Sequence, residues 1–255
     1  TFWMVAAGAF AAWIGIVGLV WQSDRLAAQR SQFAASAAHE LRTPLAGLRM
    51  YGEMLSEGLG EPARYQSYAR RIADEAERLG RVVANVLGFS RLERGTLQVR
   101  PEAGDLAACL REAVERQMPA LEGQGAKVEW FLPDGPLIAR FDKDAVAQIL
   151  QNLLDNAEKY SRGVADRTLR VEVAASAGSV TFSVLDRGPG IPAAQRRKLF
   201  KPFERGTDPD APAGLGLGLA LVKALVDAQG GTLSYAERAG GGSVFTVGLP
   251  VASRP

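Results

Sequence analysis

The chain has one histidine, His39, and Glu40 follows it directly. An adjacent carboxylate can hold the imidazole tautomer that leaves the other ring nitrogen nucleophilic, the base-activated arrangement that phosphoryl transfer requires. A lone histidine on a helix is more often a satisfied or surface side chain, so the weight falls on its neighbours. Thr43 stands one helical turn on and on the same face, where its hydroxyl can orient a water; a plain helix threonine is the alternative. Pro44 cannot donate to the Glu40 carbonyl and clashes with it, kinking a helix one turn below the ring. That kink either lets two helix halves move separately or simply bends the helix.

A second set of residues is built for a polyphosphate. On a helix beginning near Lys143, apolar Val146, Ile149, Leu150, Leu153, Leu154 and Ala157 form a core stripe. Asn152, Asn156 and Lys159 fall on the opposite face, within ~60° of each other at ~100° per residue. Two carboxamides and an amine there suit a hydrated Mg²⁺ and its phosphates. An ordinary solvated face would carry mixed Glu and Lys pairs rather than two asparagines, which are poor helix formers. Asp186 ends a strand and precedes Gly188-Pro189-Gly190, so its carboxylate points where backbone must come close, which suits an adenine amino group; a turn-forming aspartate is the alternative. Gly214, Gly216 and Gly218 open a helix whose first amides can meet phosphate oxygens. Arg205 could reach a γ-phosphate, although Arg196, Arg197 and Lys198 make a merely solvated basic loop the competing reading.

These residues need elements to hold them. Gln22 to Ser56 reads as one long helix with Phe33, Ala37, Leu41, Leu45, Leu48 and Leu55 along a face. Gly58, Gly60 and Pro62 break the pattern, and a second helix runs from Arg64 to about Leu92 with heptad-like spacing. A single hairpin is too thin to bury both faces, so two hairpins are expected to pair as a four-helix bundle in a homodimer. Gly95 marks the way out. Strands are expected at Leu97 to Val99, Lys127 to Leu132, Leu137 to Phe141, Leu169 to Ala174, Ser179 to Leu185, Thr232 to Ala236 and Ser243 to Leu249. Helices are expected at Leu106 to Gln117, Lys143 to Ser161 and Leu217 to Gln229. That order gives an α/β sandwich, with helices on one face of a mixed sheet. Arg187 to Ala213, long and polar, is expected to be a functional lid. The fold class is α plus α/β, divided as residues 1–22, 23–94 and 95–255.

Thr1 to Ser23 holds no ionisable side chain. A helix from Trp3 to Trp21 would rise ~27 Å, close to a bilayer's hydrocarbon thickness, with the two tryptophans at opposite interfaces. A buried core helix or a signal peptide is the alternative, but the positive n-region of a signal peptide is missing. Arg25 and Arg30 follow the span, which places everything downstream in the cytoplasm. A chain starting directly in lipid is expected to be a fragment of a longer one. With 30 basic and 28 acidic residues the formal charge is +2, too little for a nucleic-acid binder. The single Cys109 forms neither an intramolecular disulfide nor a zinc site and reads as a small core residue.

Four segments also carry a resemblance. Ser36-Ala37-Ala38-His39-Glu40-Leu41-Arg42-Thr43-Pro44-Leu45 is similar to the phosphoacceptor box of sensor histidine kinases. Asn152 to Ser161 resembles their asparagine box, and Asp186 to Pro192 their first glycine box. Gly214 to Leu219 resembles the second glycine box, with Leu199 to Arg205 as a phenylalanine box. Order and spacing agree from Phe33 to Pro250, and joint occurrence makes the match specific. The resemblance implies a bacterial inner-membrane kinase with its catalytic part in the cytoplasm. It would phosphorylate His39 from Mg²⁺ and ATP and pass the phosphoryl group to an Asp of a response regulator. It further implies Glu40 as general base, Thr43 as a phosphatase residue and Asn156 as the Mg²⁺ ligand. Lys159 and Tyr160 are implied at the phosphates and Asp186 at adenine. Gly188, Gly190, Ile191, Gly214, Gly216, Leu217 and Gly218 are implied around the nucleotide. Leu215 departs from the pattern, standing where Thr or Ser is common.

Two further readings compete. Related ATPases of the gyrase, Hsp90 and MutL type place a water-activating Glu where this chain has Asn152, which disfavours hydrolysis. A non-catalytic scaffold would show an eroded box, and none is clearly eroded apart from Leu215. A Ser/Thr kinase is excluded by the absence of its Gly loop, Lys and His-Arg-Asp pattern.

Overall fold

The computed structural model describes residues 2–58, 64–133, 135–176, 178–204 and 214–252, and for most of residues 2–33 the backbone alone. Helix α1 (Phe2–Ser56) runs without a break through Pro44. Apolar spacing on the exposed-to-buried gradient of α2 (Tyr65–Glu93) sends Tyr68 and Phe89 inward. The two helices form the expected hairpin, and the Tyr51 and Tyr68 rings stack across it at 5.9 Å. Most side chains of Trp3 to Trp21 lie outside the described residues; of those described, Trp13, Ile16, Val20 and Trp21 are exposed. Among the described residues no helix is long and apolar enough to cross a membrane.

After Gly95, whose φ of 63° breaks the helix, come β1 (Glu102–Asp105), α3 (Leu106–Gly123), β2 (Lys127–Phe131), β3 (Ile138–Phe141) and α4 (Lys143–Tyr160). They are followed by β4 (Thr168–Ser176), β5 (Ser179–Leu185), the single turn α5 (Ala193–Arg196), α6 (Gly218–Ala228), β6 (Thr232–Glu237) and β7 (Ser243–Pro250). Asp105 caps α3, accepting from the N–H groups of Ala107 and Ala108, and Asp142 caps α4, accepting from the N–H of Ala145, which satisfies donors a helix leaves orphaned. The main sheet has the order β2-β4-β5-β7-β6, and β1 pairs separately with β3. Only β2 and β4 are parallel, with α4 in the crossover between them; the remaining pairs of this sheet are antiparallel. Val180, Phe182 and Val184 alternate inward along β5 and meet Leu150, Leu153 and Leu221 of the helices in one apolar core. Burying a side chain such as Phe182 contributes roughly 1.5–3 kcal/mol.

The mixed sheet with helices on one face agrees with the sequence pattern, and three details correct it. Leu97 to Val99 forms no strand: its apolar side chains pack on the core from irregular chain. Strand β1 forms from Glu102-Ala103-Gly104-Asp105, a segment with no apolar alternation. Helix α3 continues past Gln117 through Pro119 to Gly123.

The hairpin meets the second unit through α2. A Cβ on Gly88 would lie 2.8 Å from a Leu221 methyl, so α2 and α6 approach where one of them lacks a side chain. The Phe89 and Phe203 rings pack edge to face at 5.2 Å. Arg81 Nε pairs with Asp155 Oδ2 at 3.4 Å. Burial pushes the Asp155 carboxyl up to about 6; Arg81 pulls it down, while Glu158 and Glu77 push it further up. A carboxyl whose folded pKa lies above its unfolded value of ~3.9 binds more protons folded than unfolded between those limits, so its ionisation costs stability as pH rises from about 4 through 6. Asp155→Asn removes this titration. Its thermal midpoint, followed by circular dichroism, is expected to fall less than the parent's between pH 4 and 7, and parallel profiles would count against this assignment.

Candidate nucleotide and phosphoacceptor site

His39 and Thr43 are exposed on α1, with Glu40 half-buried beside them and Pro44 buried. His39 and Thr43, four residues apart, share a face as the sequence requires. The hairpin thus presents the imidazole and a hydroxyl to whatever docks there.

The other residues converge on the C-terminal half of α4. Its last turn is anchored by a buried carboxylate: Glu158, whose side chain is 4% exposed, accepts from Arg162 Nη2 at 2.7 Å and from Arg167 Nη2 at 2.8 Å. Arg167 also donates to the Gln124 carbonyl at 2.6 Å, tying α4 to the turn after α3. Residue type alone does not reveal this anchor, because a helix Glu beside a Lys looks like an ordinary surface pair.

Three glycines then press against α4. A Cβ on Gly188 would sit 2.8 Å from the Tyr160 carbonyl oxygen, one on Gly214 would sit 2.6 Å from Lys159 Nζ, and one on Gly218 would sit 3.4 Å from Asn152 Oδ1. The asparagine box and both glycine boxes therefore meet, and at Gly188, which faces backbone, any side chain would force them apart, whereas at Gly214 a side chain would displace the Lys159 amine. Asn152 is only 8% exposed and donates through Nδ2 to the Gln148 carbonyl at 3.1 Å. Asn152 is not part of an ordinary solvated face: Gly218 of α6 approaches it. Asn156, Lys159 and Tyr160 are half-buried, and Lys159 Nζ lies 5.4 Å from the centre of the Tyr160 ring.

Asp186 is 4% exposed at the end of β5. Backbone N–H groups of Gly188 and Ser243 donate to its Oδ1 at 2.8 and 3.0 Å, which fixes the plane of the carboxylate. Burial pushes its pKa up, and these backbone donors pull it back. Arg238 donates to the Asp186 carbonyl at 2.9 Å. At Gly242, φ is 111° and a Cβ would lie 2.2 Å from that carbonyl oxygen. Arg238, Gly242 and Ser243 were not foreseen as parts of the site; the run Gly240-Gly241-Gly242 was the available signal. Gly190, with φ of 73°, turns the chain into Ile191, whose N–H donates to the Tyr235 hydroxyl at 3.0 Å.

Helix α6 starts at Gly218, one residue later than expected, with buried Leu217 as its cap, whose side chain makes no hydrogen bond to the first amides. Those amides and the helix dipole favour an anion. Gly216, with φ of 67°, accepts from the Phe203 N–H at 3.0 Å, which joins the phenylalanine box to the second glycine box. Leu215 is half-buried and offers no hydroxyl. Arg205 lies outside the described residues.

Around the end of α4 the chain gathers an oriented carboxylate, an amine, helix amides and a carboxamide, a donor set that suits a base joined to phosphates. Among the described residues no group of three or more His, Cys, Asp or Glu could hold a metal ion. The donor set nonetheless fits Mg²⁺ carried in by phosphates, because that cation keeps most of its shell as water and phosphate oxygen and needs only one or two protein oxygens, here the Asn156 carboxamide.

Comparison with known proteins agrees with this geometry. Residues 29–95 match the His Kinase A (phospho-acceptor) domain, and residues 141–253 match the histidine kinase-, DNA gyrase B- and HSP90-like ATPase family. Sensor protein KdpD of Escherichia coli is 31% identical over 239 residues, covering 92% of this chain and 26% of that protein. The probable sensor histidine kinase TcrY of Mycobacterium tuberculosis is 35% identical over 224 residues, covering 86% of this chain and 46% of that protein. Full-length ShkA, solved in complex with AMPPNP, superposes with a TM-score of 0.58 at 29% identity, covering 88% of this chain and 47% of that one. The chain spans about a quarter of the length of KdpD and under half of TcrY. A phosphoacceptor hairpin followed by this ATPase domain, matched in order by kinases along nearly the whole chain, places it in the bacterial two-component sensor histidine kinase family.

Proposed function

We propose that this chain phosphorylates its own His39 from Mg²⁺ and ATP and hands the phosphoryl group to an aspartate of a response regulator. The observation that carries the reading is the approach of Gly188, Gly214 and Gly218 to Tyr160, Lys159 and Asn152, which brings both glycine boxes and the asparagine helix together as one site beside a buried carboxylate held by backbone N–H groups. In it Asp186 accepts from the adenine amino group. The Gly188 to Ile191 turn lines the base, and Lys159, Tyr160 and the amides from Gly216 to Gly218 hold the phosphates; the role assigned to Arg205 is to stabilise charge on the γ-phosphate. Asn156 holds Mg²⁺, which when bound neutralises phosphate charge. Glu40 takes the proton from the His39 ring as the ring nitrogen forms its bond to the γ-phosphorus; the bond to the bridging oxygen breaks and ADP leaves. The water-using ATPase reading is disfavoured because Asn152 is a buried carboxamide that cannot take a proton from water.

The proposal extends to how the chain is organised. Residues 1–22 anchor it in a bacterial cytoplasmic membrane, supported by the exposed Trp13, Ile16, Val20 and Trp21, because apolar surface of this kind is stable in lipid and costly in water. Residues 23–94 form the dimerisation and phosphotransfer unit and residues 95–255 the ATP-binding unit, both cytoplasmic. Leu45, Met50, Val83 and Leu87 are exposed on the hairpin and supply apolar surface for a second hairpin in a homodimer.

Incubation with γ-labelled ATP and Mg²⁺ is expected to place an acid-labile, base-stable label on His39, since a phosphoramidate loses its phosphoryl group when the ring nitrogen is protonated. His39→Gln should abolish the label while ATP still binds; labelling that persists in that variant would sink the mechanism. In the pocket, Asp186→Asn keeps an acceptor for Gly188 and Ser243 but turns a donor toward adenine. It should weaken a non-hydrolysable ATP analogue by ~1–3 kcal/mol in calorimetry, whereas Asn156→Ala should abolish labelling through lost Mg²⁺. On α1, Thr43 is placed to align water against a phosphorylated regulator. Thr43→Ala should leave His39 labelling within a few-fold of the parent but slow phosphate loss from the purified regulator; an unchanged rate of loss makes Thr43 a helix residue only.

A further inference from the structure

The peptide that leaves the first glycine box is gripped from both sides. Irregular chain ordinarily gives its backbone polar groups to water, yet at Ile191 side chains from elsewhere take both. Its N–H donates to the Tyr235 hydroxyl of β6 at 3.0 Å, and its carbonyl accepts from Arg196 Nε of α5 at 2.9 Å. The two grips are linked, because the Arg196 guanidinium lies 5.6 Å from the centre of the Tyr235 ring. Arg196 is braced in turn by an ion pair from its Nη2 to Glu237, two residues along the same strand. The other side of the assembly is rigid: the Tyr235 ring packs on Phe245 of β7 at 5.4 Å. Gly190 passes beneath the hydroxyl, with the Tyr235 oxygen 3.8 Å from where its Cβ would stand.

We infer that Tyr235 is a positioning residue for the nucleotide pocket, acting with Arg196 through the Ile191 peptide. The turn from Asp186 to Ile191 is held at its start by Gly188 and Ser243 on the carboxylate and by Arg238 on the carbonyl. Without a second fixed point its far end would swing about Gly190, and the surface offered to a purine ring would be set only on binding. Fixing Ile191 makes that surface available beforehand, and preorganisation of this kind raises affinity by lowering the ordering cost. This inference rests on the reading that the Asp186 turn receives adenine.

The test uses the full chain and AMPPNP. Tyr235→Phe keeps the ring for Phe245 and Arg196 and deletes one hydroxyl. It is expected to raise the calorimetric Kd about five-fold, the equivalent of one ordinary hydrogen bond, and to raise KM for ATP in His39 labelling by more than it lowers kcat. Arg196→Lys keeps the charge opposite Glu237 but loses the Nε donor and should act in the same direction. The double variant should lose less than the product of the two, because both act on one peptide. A Kd within two-fold of the parent in Tyr235→Phe and in Arg196→Lys overturns the inference, even where the thermal midpoint has dropped, since that pattern marks a purely structural role. Asp186→Asn run alongside separates the two claims: a parent-like Kd there overturns the adenine reading, whereas weakened binding there with parent-like Tyr235→Phe and Arg196→Lys overturns only the grip.

Discussion

A carboxylate taken out of water must be hydrogen-bonded or paired, because an isolated buried charge costs several kcal/mol or neutralises itself. Asp186, 4% exposed at the end of a central strand, meets that demand with backbone N–H groups, and the local architecture follows from it. Gly188 must turn back at once to bring its N–H to Oδ1, and the same turn brings it against the carbonyl of Tyr160, where no side chain fits. Ser243 supplies the second N–H, which requires the hairpin between β6 and β7 to lie over the strand end, and the glycine at position 242 allows that approach. The carboxylate thereby fixes α4, the first glycine turn and the last hairpin relative to each other.

The same logic explains what could be read from residues alone. The glycines, Asp186 and the asparagine helix announce themselves because close backbone approach and helix periodicity both leave marks in residue type. Arg238 and Ser243, which also bind Asp186, are ordinary in type, and a backbone N–H has no residue identity, so only the glycine run before Ser243 marked their place. Asn152 was placed on a polar face by its angle around α4, and angle is all that a helical pattern encodes; that α6 lies across it depends on Gly218, sixty-six residues later in sequence. Glu158 is the converse case, a residue of surface type buried because Arg162 and Arg167 both reach it. Leu97 to Val99 misled because apolar side chains need burial and not a ladder, while β1 pairs with β3 by register alone.

Helix α3 shows a related limit. Proline removes one N–H and crowds the carbonyl four residues back, so Pro119 argues for an end near Gln117. The helix carries on to Gly123, and Leu121 in that last turn is buried. Burial of Leu121 and the bonds from Gln124, Gly125 and Ala126 back to that turn outweigh a single lost hydrogen bond, as tertiary packing commonly overrides local preference.

Phe203 joins the two units of the molecule. Its φ of 65° is uncommon for a bulky residue and costs on the order of 1–3 kcal/mol, so it persists only where its surroundings over-determine it. Two contacts do so. Its N–H bonds to the carbonyl of Gly216 in the phosphate turn, and its ring packs on Phe89 of α2. Gly216 is itself tightly hemmed, since a Cβ there would lie 2.9 Å from the Glu204 carbonyl oxygen. One strained residue therefore touches both the turn that opens α6 and the helix paired with the one that carries His39.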